Sequence, residues 1–178
     1  MNVTGNTILI TDGGSGIGRG LAESFHKLGD QVIIAGRGNK SLDDATRANP
    51  GMKSLKVDMA SFSSIKSFAA RVTAEFPTLN AVIHNAGVMV AEDLLDGKNY
   101  QSDDETTVNT NLLGPIRLTQ ELLPTLRKQP RATILTVSSV LAFVPMAMTP
   151  TYCATKAGIH SLHAIAAVSA QGDSDPGH

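Results

Sequence analysis

The chain has 178 residues, 42% apolar and 17% charged, which suits one globular domain with a full core and excludes a disordered or fibrous chain. A formal net charge of -1 argues against nucleic acid or an anionic membrane as partner, and no apolar run approaches the ~20 residues of a membrane span. Cys153 is the single cysteine, so no internal disulfide is possible; this fits a reducing compartment, and a cytoplasmic location is expected. The start of the chain lacks the charged and apolar regions of a secretory signal, so the glycosylation acceptor Asn2-Val3-Thr4 carries no weight.

Segments of two periods alternate along the chain. Residues 7–11 are an apolar strand, and 16–28 read as a helix with Ile17, Leu21, Ala22, Phe25 and Leu28 on one face, ended by Gly29. Val32-Ile33-Ile34, within a strand predicted over 31–35, is the continuous apolar run of a strand buried on both faces. A turn at 36–39 leads to a short helix over 41–49, stopped by Pro50-Gly51. Residues 53–58 form a third strand, Ser61 caps a helix reaching about Phe76, and 81–84 are a fourth strand turned by Asn85-Ala86-Gly87. Residues 89–102 have little periodicity. Ser102 or Asp103 would then cap a long helix to about Arg127, with a bend or irregularity at Gly114-Pro115 because an interior proline costs about 3 kcal/mol. Residues 132–137 are a fifth strand, 138–150 a loop and 152–170 a final helix; 171–178 read as a frayed tail. The alternation implies right-handed βαβ units, a parallel sheet with helices on both faces, and one domain over 1–170.

The segment Thr11-Asp12-Gly13-Gly14-Ser15-Gly16-Ile17-Gly18 joins the first strand to the first helix. Glycines let a backbone approach phosphates, and the helix start behind them offers unpaired N–H groups and a positive dipole end; a plain strand–helix turn is the alternative. Tyr152 and Lys156 stand four apart, on one helical face. A cation beside a phenol favours the phenolate and brings it toward acid–base use, whereas a surface tyrosine near a surface lysine would do nothing. Ser139 lies just past the fifth strand, at the strand ends where open parallel sheets bind ligands, although Ser138 and Ser139 would also serve as ordinary loop residues. Asn109 and Asn111 sit in a predicted helix where asparagine has no propensity advantage, and either would be at home facing solvent.

Taken together, these residues closely resemble the classical short-chain dehydrogenase/reductase family, from about Asn6 to Ala164. The family's T-G-x-x-x-G-x-G corresponds to Thr11–Gly18, its N-N-A-G to His84-Asn85-Ala86-Gly87, and its N-x-x-G to Asn111-Leu112-Leu113-Gly114. The phrase Val108 to Leu118 also resembles a bacterial subgroup called DltE-like, which fixes no substrate. The resemblance implies an α/β, doubly wound Rossmann sheet of five strands that lacks the family's last two. It implies an NAD(P)-dependent oxidoreductase moving a hydride between nicotinamide and a small-molecule alcohol or carbonyl. By the same resemblance Tyr152 moves the proton, Ser139 holds the substrate oxygen, Lys156 binds the cofactor ribose and supports the phenolate, and Asn111 holds a relay water. Cofactor contacts fall to Thr11, Gly13, Ser15, Gly16, Ile17, Gly18, Arg37, Asp58, Asn85, Ala86, Gly87, Tyr152 and Lys156, with Asp58 at the adenine; no metal is expected. The family's dimer helices correspond to the long helix and the tyrosine helix, so a homo-oligomer is expected.

Arg37 follows the second strand, where a guanidinium suits the 2′-phosphate of NADP and an acid would suit a ribose hydroxyl; NADP(H) is therefore expected over NAD(H). Three features depart from the family. Asp12 replaces the first motif glycine, where its charge is expected to weaken cofactor binding unless it turns to solvent or caps the helix. His84 replaces an asparagine. No sixth strand follows the tyrosine helix. The rival expectation is a relative without turnover, which binds cofactor weakly or acts only by dimerising.

Overall fold

Strand β1 (Thr7–Thr11) has no exposed residue, because it has a neighbour on each side and a helical layer on each face. It pairs in parallel with β2 (Gln31–Gly36) and with β4 (Ala81–His84). Beyond these lie β3 (Lys53–Lys56) and β5 (Thr133–Thr136), giving the order β3-β2-β1-β4-β5 with every pairing parallel. The structure, a computed structural model, describes residues 4–92 and 101–172. The expectations for Asn2 and Val3, for residues 93–100 of the aperiodic segment and for residues 173–178 of the tail lie outside the described residues.

Alternate strand residues face opposite layers. Ile8, Ile10, Val32, Ile34, Ala81 and Ile83 pack with Ala22 of α1 (Gly16–Lys27) and with Leu42 and Ala45 of α2 (Asn39–Ala48). Leu9, Ile33, Leu55 and Val82 pack with α3 (Phe62–Glu75) and α5 (Gly114–Leu126). Burial at about 25 cal/mol per Å2 on both faces is what makes these short strands stable. Ser61 caps α3 as expected, its hydroxyl accepting the Ser64 N–H at 3.3 Å.

The expected irregularity in the long helix is present, one turn earlier than the proline. Helix α4 (Gln101–Val108) passes into a π-turn over Asn109–Leu113, and α5 starts at Gly114 with Pro115 in its first turn. Proline is tolerated there because its missing N–H falls in the first turn of a new helix. Ser102 and Asp103 lie inside α4 rather than at its cap, since Gln101 is already helical. The last helix, α6 (Pro150–Gly172), begins two residues before Tyr152 and reaches two beyond the predicted end; the loop before it contains a 3-10 turn, Val140–Ala142. No helix among the described residues is long and apolar enough to cross a membrane.

Candidate active site at the carboxyl ends of the strands

The order in which strands are added reverses at β1: β2 and β3 build to one side, β4 and β5 to the other. Such a switch point opens a crevice at the carboxyl ends of the strands. Here the crevice is lined by Asp12 after β1, Gly36 and Arg37 at β2, Val57, Asp58 and Met59 after β3, Ala86, Gly87 and Val88 after β4, and Thr110 of the π-turn.

The turn from β1 into α1 is built for close approach. A Cβ on Gly13 would lie 2.6 Å from Ile34 Cγ2, and one on Gly18 would meet the Asp12 carbonyl and, at 2.5 Å, Asn85 Nδ2. Neither position admits a side chain, so α1 starts directly against the strand ends. Ser15 occupies the N-cap of α1 but makes no side-chain cap bond. The unpaired N–H groups and dipole of the first turn therefore stay available to an anion, and Ile17 in that turn is 68% exposed. A glycine cradle ahead of an uncapped helix start, opening into a crevice at a switch point, fits a dinucleotide.

Thr11 and Asn85 hold the crevice together from beneath. Thr11 Oγ1 accepts the N–H groups of Asn85 and Ala86, each at 3.0 Å, and Asn85 Nδ2 donates to the Thr11 and Asp12 carbonyls at 3.1 and 3.3 Å. Both side chains thus lock the end of β1 to the end of β4. Asp58 is similarly engaged: its N–H donates to Ser64 Oγ and one carboxylate oxygen accepts the Ala60 N–H, both at 3.0 Å, which turns the chain from β3 into α3.

Asn111 is buried, not solvent-facing. Its Oδ1 accepts the Val88 N–H and its Nδ2 donates to the Val88 carbonyl, both at 2.8 Å, with a further bond from Nδ2 to Thr155 Oγ1 at 3.3 Å. Thr155 Oγ1 in turn donates to the Tyr152 carbonyl at 2.8 Å. One asparagine therefore ties the β4 turn, the π-turn and the tyrosine helix together. Gly87 completes the junction: a Cβ there would sit 3.5 Å from Asn111 Oδ1 and 3.6 Å from Lys156 Nζ.

Lys156 is 5% exposed, and its Nζ lies 5.7 Å from the centre of the Tyr152 ring while donating to the Val137 carbonyl at 2.8 Å. Burial pulls its pKa below the ordinary lysine value. The i, i+4 spacing thus puts the cation and the Tyr152 ring on one face of α6. Ser139 caps the 3-10 turn, its Oγ accepting the Leu141 N–H at 3.2 Å.

Sequence reasoning missed three supporting residues. Thr110 lines the crevice and Thr155 links Asn111 to Tyr152. Glu92, buried in the aperiodic segment, accepts the Thr151 hydroxyl at 2.7 Å through Oε2 and donates its own N–H to the Met148 carbonyl at 2.8 Å, fixing the start of α6. Thr110, between Asn109 and Asn111, and Thr155, next to Lys156, lay beside residues already singled out; nothing in the sequence around Glu92 carries a signal.

Comparison with known proteins agrees with this geometry. The oxidoreductase DltE of Bacillus subtilis (strain 168), itself described as uncharacterized, is 38% identical over 161 residues, covering 90% of this chain and 64% of that protein. An uncharacterized oxidoreductase of Staphylococcus aureus (strain USA300) is 26% identical over 163 residues, covering 90% and 69%. A short-chain dehydrogenase from Streptomyces avermitilis superposes with a TM-score of 0.82 at 28% identity, covering 89% of this chain and 58% of that one. A metagenomic short-chain oxidoreductase in complex with NADP gives a TM-score of 0.88 at 25% identity, covering 96% and 78%. The chain thus spans a little under two thirds of the B. subtilis protein's length. Residues 6–173 match the short chain dehydrogenase family, and the chain belongs to it.

Proposed function

We propose that this chain is an NAD(P)-dependent oxidoreductase acting on an alcohol or carbonyl substrate, with NADP(H) preferred over NAD(H). The observation that carries the reading is the Val88–Asn111–Thr155–Tyr152 network, which fixes the tyrosine helix, and with it the buried Lys156, against the crevice. Gly13, Ser15, Gly16, Ile17 and Gly18 cradle the pyrophosphate of the dinucleotide, with the expected contact of Thr11 replaced by support from beneath because its side chain is fully buried; Asp58 meets the adenine, and Asn85, Ala86 and Gly87 form the floor. The nicotinamide supplies the hydride acceptor or donor. Tyr152 moves the matching proton at its phenolic oxygen, and the Ser139 hydroxyl holds the substrate oxygen in hydrogen-bond reach of it. Lys156 has three donors, of which Val137 takes one; the others are free to serve the ribose. The Asn111 carboxamide is engaged by Val88 and Thr155, and Asn111 would hold the relay water beside those bonds.

Arg37, exposed directly after β2, supports the NADP preference, and the metagenomic neighbour was solved with that cofactor. Self-association through α5 and α6 belongs to the same reading, supported by exposed Leu123 and Leu162 beside an apolar groove. So does a cytoplasmic site of action, supported by Cys153 as a buried free thiol.

The half-exposed β5 and the exposed Val140, Phe143 and Val144 favour a second reading, cofactor binding without turnover. Calorimetric titration with NADPH and NADH, joined to a carbonyl-reduction assay, separates the two. Tighter NADPH binding with turnover is expected, and Arg37→Ala should remove the preference. Equal or tighter NADH binding refutes the cofactor assignment, and binding without reduction of any carbonyl in a broad panel supports the second reading.

A further inference from the structure

Resting on that dinucleotide reading, we propose that Asp12 is a specificity-determining residue whose carboxylate acts on the 2′ position of the adenine ribose, opposing a 2′-phosphate, and not on the pyrophosphate. Its place in the glycine motif would put its charge at the mouth of α1. The structure turns it elsewhere. Asp12 has a φ of 53°, the left-handed region, which aspartate tolerates better than most residues. In that conformation it lies over the end of β2: a Cβ built on Gly36 would be 3.7 Å from Asp12 Oδ1 and 3.8 Å from its Cα. Gly36 closes β2 and Arg37 follows it, and Asp12, Gly36, Arg37 and Asp58 line one crevice.

An acidic acceptor beside the end of the second strand is what holds a ribose 2′-hydroxyl in such folds. Here that acceptor comes from the first turn, through a residue whose neighbours in the motif serve the phosphates. The Asp12 side chain is exposed and makes no ion pair with Arg37. It is therefore free to accept a hydrogen bond from a 2′-hydroxyl and to repel a 2′-phosphate. Arg37 acts in the opposite sense on the same group. The chain's preference between the two cofactors is then set by two residues of opposite charge on either side of Gly36, and Asp12 narrows what Arg37 widens.

The test is calorimetric titration of the full chain and its Asp12→Asn variant with NADP, NAD, 2′,5′-ADP and 5′-AMP at two salt concentrations. Asparagine keeps the size and the tolerance of positive φ; it removes the charge and turns one acceptor oxygen into an N–H donor, and the salt series separates the two changes. The 2′,5′-ADP fragment carries the 2′-phosphate without a pyrophosphate. Expected is about tenfold tighter binding of NADP and 2′,5′-ADP, ~1.4 kcal/mol, no gain for NAD and 5′-AMP, and a smaller gain at high salt. Equal tightening of NADP and NAD with 2′,5′-ADP unchanged would place the charge at the pyrophosphate and overturn the proposal, as would no change for any of the four. Asp12→Gly provides the strain control: a gain confined to glycine and shared by both cofactors would assign the effect to backbone relief. Arg37→Ala, titrated alongside, reports on the NADP reading separately. Its preference can vanish or persist whatever Asp12→Asn does.

Discussion

Two strands of nearly identical sequence meet opposite fates. β1 reads Thr-Ile-Leu-Ile-Thr and is wholly buried; β5 reads Thr-Ile-Leu-Thr and is half-exposed along its length. The pairing register sets Ile34, Ile10, Ile83 and Leu135 in one row across the sheet, on the face that α1 and α2 cover. Exposure along that row is 0%, 0%, 2% and then 41%. The row leaves its helical cover at β5, whose opposite face still packs Ile134 against the α3 and α5 layer. Composition therefore fixes what a strand can bury, and neighbours fix what it does bury. The same contrast runs through the candidate site: Asp12, Ala86, Gly87 and Val88 of the crevice follow the buried strands β1 and β4, while Ser139 and Tyr152 follow the half-exposed one.

The sharpest way to separate the two regions is to remove the phenol. On the proposed reading, Tyr152→Phe should lower any carbonyl reduction by about 10^2–10^4-fold while cofactor affinity holds, because the variant loses one hydroxyl and the proton it would supply. Comparable turnover in the variant would exclude Tyr152 as the acid, and parallel loss of cofactor binding would show that the regions are coupled.

The row across the sheet gives the next effect. Ile10→Ala should cost about 2–5 kcal/mol in urea unfolding, and Leu135→Ala about 1 kcal/mol or less. A Leu135→Ala cost as large as that at Ile10 would mean the β5 edge is covered in solution, which a bare apolar edge invites.

Beneath the crevice, Thr11→Val keeps the shape but leaves the Asn85 and Ala86 N–H groups without their acceptor. A loss of about 1–3 kcal/mol is expected, with weaker dinucleotide binding as the β4 turn loosens. Unchanged stability would show that water reaches those groups.

The smallest effect is a slope with pH. Burial lowers the Lys156 pKa below the ordinary 10.5, so the charged form burdens the fold at neutral pH. As pH rises through the lowered value toward 10.5, the folded lysine loses its proton while the unfolded one keeps it. The unfolded state then binds more protons, and stability rises with pH. Unfolding free energies of the wild type and Lys156→Met at pH 7 and pH 10 should therefore shift in favour of the wild type at the higher pH. A constant difference would show that Lys156 is hydrated in solution.

What the sequence determined by itself was local and periodic. Runs such as Val32-Ile33-Ile34 and the glycine turn at Thr11–Gly18 announced strands and cradle, because strand burial and close backbone approach restrict residue type at each position. Ser61 and the four-residue spacing of Tyr152 and Lys156 were legible for the same reason, since caps and helix faces are set within one or two turns. Only the tertiary structure decided the rest. It spent the Asn111 side chain on Val88 and Thr155, placed the helix irregularity at Asn109–Leu113, and recruited Glu92 from an aperiodic segment to hold the start of α6. It also turned Asp12 over Gly36, and it left Leu135 without the cover that Ile10 enjoys. Each of these depends on partners from 23 to 59 residues away in sequence or on the layer lying above a strand. Periodicity reports which face of an element is apolar, and it carries no information about what that face will meet.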